Sequence, residues 1–69
     1  MERQTVSSSN IRSVGYDYST STLEVEFNNG RIYQYFSVSE NTYNSFLSAS
    51  SQGRYLAANI INNYKYKEV

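Results

Sequence analysis

Cysteine and histidine are both absent from this 69-residue chain. Without cysteine there is no disulfide and no thiol nucleophile. Without histidine the commonest general base and the usual zinc-ligand sets are missing as well. Charge excess is also lacking, because six basic and six acidic residues leave a formal net charge of zero. That argues against a strong non-specific nucleic-acid binder, since such binding runs on counterion release by clustered Lys and Arg, although it leaves room for a local basic patch. No apolar run approaches a membrane span, and Met1-Glu2-Arg3-Gln4-Thr5 does not read as a signal peptide. No Walker motif, nucleophile elbow or dinucleotide fingerprint occurs. The expectation is a cytoplasmic, non-catalytic chain with no cofactor, no metal and no membrane partner.

What the chain has is one clear hairpin. Leu23, Val25 and Phe27 alternate with Glu24 and Glu26, Asn29-Gly30 follows, and a second alternation runs through Ile32-Tyr33-Gln34-Tyr35-Phe36. An Asn-Gly dipeptide between such runs is a strong hairpin signal. With Asn29 and Gly30 as a two-residue loop, Asn28 faces Arg31. The pairs Phe27 with Ile32, Val25 with Gln34 and Leu23 with Phe36 then form the inner face. The outer face carries Glu26 beside Tyr33 and Glu24 beside Tyr35. On that register both tyrosines face water, and replacing both by Ala leaves the fold intact.

The rest of the chain builds around this hairpin. Val14, Tyr16 and Tyr18 against Ser13, Gly15 and Asp17 read as a preceding strand, with Ile11 out of phase, the signature of a bulge or a later start. Ser39 and Ser51 are placed to cap two helices, one with the stripe Tyr43, Phe46, Leu47 and one with Leu56, Ile60, Ile61, Tyr64. The tail Tyr64-Lys65-Tyr66-Lys67 alternates with period two, the pattern of a short edge strand. The fold expected is α+β: a three-stranded antiparallel meander followed by two helices packed on one face, with room for a short C-terminal strand. It forms a single domain over residues 6–69 after a flexible arm over 1–5. The core candidates are Ile11, Val14, Tyr16, Leu23, Val25, Phe27, Ile32, Phe36, Val38, Tyr43, Phe46, Leu47, Leu56, Ile60 and Ile61, each contributing roughly 1.5–3 kcal/mol when buried.

Three groups of residues can meet a ligand. Tyr33 and Tyr35 with Arg31 would form an aromatic and cationic strip on which bases stack while the arginine meets phosphate. Tyr is equally a good strand former and is enriched in protein interfaces. Glu24 and Glu26, on the same face in this register, repel phosphate. Ser51, Gly53 and Arg54 at a helix start can hold an anion, or serve simply as a cap. Lys65 and Lys67 are tail charges that can join either site. Glu24 and Glu26 lie about 6.5–7 Å apart along an open strand, a solvated charged face and not an acid–base pair.

An ordered set of segments carries a resemblance. Ser8-Ser9-Asn10-Ile11, Val14-Gly15-Tyr16-Asp17, Leu23-Glu24-Val25-Glu26-Phe27, Asn29-Gly30, Tyr33-Gln34-Tyr35-Phe36, Ser51-Gln52-Gly53 and Tyr64-Lys65-Tyr66 occur in this succession. From about Val6 to Val69 the chain resembles the KTSC domain, named for the C-terminal extension of some lysyl-tRNA synthetases and also found as small free-standing bacterial proteins. The Tyr-X-Tyr hallmark of that family is matched by Tyr33 and Tyr35. The resemblance implies an association with translation and with tRNA-like RNA. The chain departs from the family pattern at Ser39, where proline is usual, at Leu56 and Ala57, where an aromatic and Asn are common, and at Ile61, where a basic residue is frequent. Its second helix is therefore less basic than the family's. The functional expectation is a small RNA-binding or translation-associated module, or alternatively a protein-interaction or self-association module using the same face or a strand edge, as a monomer or weak homo-oligomer.

Overall fold

The computed structural model describes residues 1–69, in the order β1 (Gln4–Thr5), β2 (Ile11–Asp17), β3 (Thr22–Phe27), β4 (Ile32–Tyr35), α1 (Glu40–Ser48), α2 (Gln52–Asn59) and β5 (Tyr66–Glu68). The five strands form one antiparallel sheet whose spatial order repeats the chain order. Both helices pack on one face, where Phe46, Leu56 and Ile60 meet Ile11, Val14, Leu23 and Val25. Ser39 and Ser51 cap the helices, accepting from the Thr42 and Arg54 amides at 3.2 and 3.3 Å. These two caps and the terminal strand β5 lie where the sequence pattern puts them.

The central hairpin does not follow the expected register. Its loop holds three residues, Asn28, Asn29 and Gly30. The Gly30 N–H donates to the Phe27 carbonyl at 2.9 Å and the Phe27 N–H donates to the Arg31 carbonyl at 2.9 Å. A two-residue loop of the type favoured by Asn-Gly needs positive φ at both central positions. Here Gly30 alone has it, at +90°. The Asn29 side chain instead accepts from the Arg31 N–H at 3.0 Å, which fixes the loop with Asn29 on the ordinary side of the map. The outcome is the three-residue loop in which a turn is followed by a left-handed glycine.

A one-residue slip turns a strand over. Leu23 now pairs with Tyr35, Glu24 with Gln34, Val25 with Tyr33 and Glu26 with Ile32. Tyr33 and Tyr35 therefore stand on the helix side, and Tyr35, 3% exposed, belongs to the core. Ile32 and Phe36, expected inside, are absent from that core and are only half-buried. The other nine members of the buried cluster were all core candidates: Ile11, Val14, Leu23, Val25, Val38, Tyr43, Phe46, Leu56 and Ile60. Ile11 reaches it through a bulge, because the register shifts between Ile11 and Ser13 and brings Ile11 opposite Phe27.

Residues 1–5, expected as a flexible arm, carry β1 instead. Gln4 and Thr5 pair with Val14 and Ser13. Gly15 makes this possible, since a Cβ there would lie 2.5 Å from the Glu2 carbonyl oxygen and 3.0 Å from the Arg3 Cγ. Arg3 crosses the sheet above the bare glycine and reaches Glu24, the cross-strand neighbour of Gly15, at 2.5 Å.

Two serines take left-handed backbone, Ser21 at φ 56° and Ser37 at φ 59°. They are linked by the Val38 N–H, which donates to the Ser21 carbonyl at 2.9 Å and seats Val38 fully inside the core. A left-handed L-residue costs about 1–2 kcal/mol, part of which glycine gives back as extra chain entropy in the unfolded state. Ser37→Gly is therefore expected to raise the unfolding free energy by about 0.5–1 kcal/mol, read as a higher urea midpoint. Ser37→Val is expected to lower it.

Candidate functional site

The slipped register changes what surrounds the Tyr-X-Tyr pair. On the helix side, Arg31 just before β4 and Tyr33 and Tyr35 within it follow in alternation, and β5 lays Glu68 opposite Tyr33 and Tyr66 opposite Tyr35. Ring centroids lie 5.7 Å apart for Phe27 and Tyr33, 5.8 Å for Tyr33 and Tyr66, and 5.9 Å for Tyr35 and Tyr66. These spacings fall in the range of favourable edge and tilted aromatic contacts. Phe27, Tyr33, Tyr35, Ile61 and Tyr66 enclose an apolar cavity of about 240 Å³. Beside it, Asn10, Phe27, Asn28, Asn29, Arg31 and Tyr33 line a wider groove of about 680 Å³. Phe27 and Tyr33 line both, so the two depressions adjoin at these rings and together make up a trench between the hairpin loop and the end of α2.

The trench is polar at one end and apolar at the other. Arg31 lies 3.8 Å from Glu68, and contact with the Tyr33 hydroxyl, followed by the Glu68 charge, raises its already high basicity. Burial, with smaller contributions from Tyr33 and Tyr66, pushes the Tyr35 hydroxyl up to about 12. Tyr35 is therefore a neutral wall of the site at physiological pH. Asn28 is committed, its Nδ2 donating to the Ser9 carbonyl at 2.7 Å. Chemically the trench offers ring surface, amide edges and one guanidinium within a single depression.

The acids that the two-residue register set beside the tyrosines are on the opposite face. There Glu24 accepts from Arg3 and, at 2.8 Å, from the Gln34 amide, while Ser13 donates to Glu26 at 2.8 Å and Arg12 lies 3.8 Å from it. Burial alone would push the Glu24 carboxyl up. The bonds from Gln34 and Arg3 and the guanidinium charge outweigh it, and the carboxyl is held below its ordinary value.

The remaining candidates separate. Lys67 pairs with Gln34 and so stands on this opposite face, as does Lys65 two residues earlier, whose carbonyl accepts from the Phe36 N–H. Ser51, Gly53 and Arg54 lie at the start of α2 and line neither the groove nor the cavity, which Gly53 approaches only through Asn10. Ser51 acts as a cap, and a Cβ on Gly53 would meet Asn10 Nδ2 at an ordinary 3.5 Å. Arg54, Lys65 and Lys67 make no ion pair. Sequence reading missed Asn10, Phe27, Ile61 and Tyr66 as neighbours of the motif. No local signal gave them, because Gly30 takes positive φ in a two-residue and in a three-residue loop alike. No helix is long and apolar enough to cross a membrane.

This architecture has known relatives. The family description of the KTSC domain matches residues 7–64. The chain belongs to the KTSC domain family. A crystal structure of a KTSC domain protein from Yersinia pestis superposes with a TM-score of 0.93 at 39% identity, covering 99% of this chain and 96% of that one. An uncharacterized protein of Stutzerimonas stutzeri (strain A1501) is 42% identical over 55 residues, 80% of this chain and 78% of the relative. In this member of the KTSC family, then, the hallmark pair splits its duties, with Tyr35 in the core and Tyr33 at the mouth of the trench.

Two outcomes follow for solution work. Tyr35→Ala is expected to cost roughly 3–5 kcal/mol, as for other large aromatic truncations in a core, and to melt so small a domain at moderate temperature. Circular dichroism checks this. The depressed Glu24 value means that its ionised form stabilises the fold above the ordinary carboxyl value of 4.5, and that this contribution is lost as pH falls through the lower folded value. A thermal-melt series is expected to fall below about pH 4.5 for the native chain and to be flatter there for Glu24→Gln.

Proposed function

We propose that this KTSC domain is a small non-catalytic, cytoplasmic binding module that takes a segment of single-stranded RNA in the trench between the hairpin loop and Tyr66. The observation that carries the reading is the groove in which Arg31 and Tyr33 meet Asn10, Asn28 and Asn29, adjoining the apolar cavity at Phe27 and Tyr33. Recognition of unpaired RNA relies on splayed bases against aromatic rings, hydrogen bonding to their edges and a cation for phosphate. With Tyr35 buried, the mode differs from stacking on a flat sheet. One base would enter beside Phe27, Tyr33 and Tyr66, amides would meet its edge, and Arg31 would meet the adjoining phosphate. The placement of Glu24 and Glu26 on the far side, both paired with arginines, takes two acids away from the tyrosines and leaves Glu68, which Arg31 faces at 3.8 Å, as the acid on the trench side. The naming of the family for a tRNA-charging enzyme is an analogy in the same direction.

Amide shifts of ¹⁵N-labelled protein, titrated with a short single-stranded RNA at low and moderate salt, test the reading. Salt-sensitive shifts are expected at Asn28, Asn29, Arg31 and Tyr33. Arg31→Ala is expected to reduce the slope of log affinity against log salt by about 0.7, the share of one phosphate on a single strand. Absence of any RNA response, with shifts on β4 that depend on protein concentration instead, would replace RNA binding by self-association.

A further inference from the structure

The sheet ends at β5, and nothing covers that edge. We propose that the outer edge of β5 is a strand-addition site for an extended acidic segment of another protein, one that alternates carboxylate and apolar side chains. The site adjoins the trench, with which it shares the Tyr66 ring, and it is defined first by the backbone. The Phe36 N–H donates to the Lys65 carbonyl at 2.9 Å and the Val69 N–H donates to the Ile32 carbonyl at 2.8 Å, with Lys67 opposite Gln34 between them. In an antiparallel ladder alternate residues bond to one neighbour only. Lys65, Lys67 and Val69 are thus committed inward to β4, and Tyr66 and Glu68 aim their N–H and C=O groups outward, the template on which a further strand pairs.

Side chains decide which strand that is. Lys65 and Lys67 lie on the open face without an ion-pair partner, while the acids of that face, Glu24 and Glu26, are held by Arg3 and Arg12. Tyr66, 58% exposed, lies between the lysines in sequence and on the other face. An incoming strand therefore meets Lys65, Tyr66 and Lys67 in alternation and then Glu68, which faces Arg31 at 3.8 Å, so its complement is acidic, apolar, acidic with a neutral residue across from Glu68.

A second copy pairing through its own β5 is the wrong occupant. A two-fold antiparallel pairing centred on Tyr66 sets Lys65 against Lys67 of the second copy. Centred on Lys67 it sets the two Lys67 side chains together, and centred on Glu68 the two Glu68 side chains. Each register places like charges directly across, which destabilises a strand pair. Lysine on an edge strand is a device that discourages self-pairing. Here the same lysines select an acidic partner.

The test uses the full chain and two blocked synthetic peptides, Thr-Thr-Glu-Val-Glu-Thr-Thr and its counterpart with Lys in place of Glu. The acidic peptide is expected to slow amide hydrogen exchange at Tyr66 and Glu68 and to bind less tightly as salt rises. The double variant Lys65→Glu with Lys67→Glu is expected to lose about tenfold in affinity for it, the effect of two reversed cross-strand charge pairs, and to prefer the basic peptide. Lys67→Gln alone is expected to give an intermediate loss. Equal binding of the two peptides, or no protection at Tyr66 and Glu68 at millimolar peptide, would overturn the proposal. So would protection that rises with protein concentration alone, or protection produced by oligouridylate instead of peptide. Arg31→Ala is expected to leave peptide protection in place, which separates this site from the RNA reading.

Discussion

One backbone torsion governs the arrangement of this domain. Gly30 turns to φ +90° and Asn29 does not, and this sets Phe27 opposite Arg31 in the hairpin. Because side chains alternate across a strand, the choice places every residue of β4. It puts Tyr35 among the core residues, Tyr33 at their margin, and Gln34 where it can hold Glu24. A loop one residue shorter would bury Gln34 against Val25 and leave Phe36 inside. The polar atoms of Gln34 would then lie in an apolar layer with no partner, at a cost of about 1–3 kcal/mol.

The opposite face depends on the same choice. Arg3 bonds Ser13 at 3.0 Å and Glu24 at 2.5 Å, and Gln34 completes the second carboxylate oxygen. Glu24 is 7% exposed, so its charge is tolerated only because these donors surround it. Gly15 provides the clearance under Arg3, and the N-terminal segment is drawn onto the sheet as β1. A polar network on one face and an aromatic cluster on the other thus share the strands β3 and β4.

Local pattern carries much of this in the sequence. The alternation of Leu23, Val25 and Phe27 shows β3, the out-of-phase Ile11 shows the bulge, and Ser39 and Ser51 show the helix starts, because each depends on residues within a turn of one another. The hairpin register was not legible. Asn-Gly suits both loop lengths, and the decision rests on the Asn29 side chain accepting from the Arg31 N–H. β1 was hidden because its anchor, Arg3 on Glu24, spans 21 positions. The trench was hidden for the same kind of reason, since its walls come from Phe27, Ile61 and Tyr66 as well as from the motif. Arg31 and Tyr33 line the groove, whereas the period-two geometry of β5 sends Lys65 and Lys67 to the other side.

A sheet whose spatial order repeats its chain order has a consequence for how the domain assembles. Pairing of β2 with β3 and of β3 with β4 closes only short loops. Pairing of β4 with β5 must wait on residues 36–65, which contain both helices. That step carries the largest loop-closure entropy in the chain. Tyr66 enters the aromatic cluster at this step, so the apolar end of the trench exists only in the completed domain. Fraying of the last strand would open that end while the groove beside the hairpin loop, walled by Asn10, Phe27, Arg31 and Tyr33, still stands.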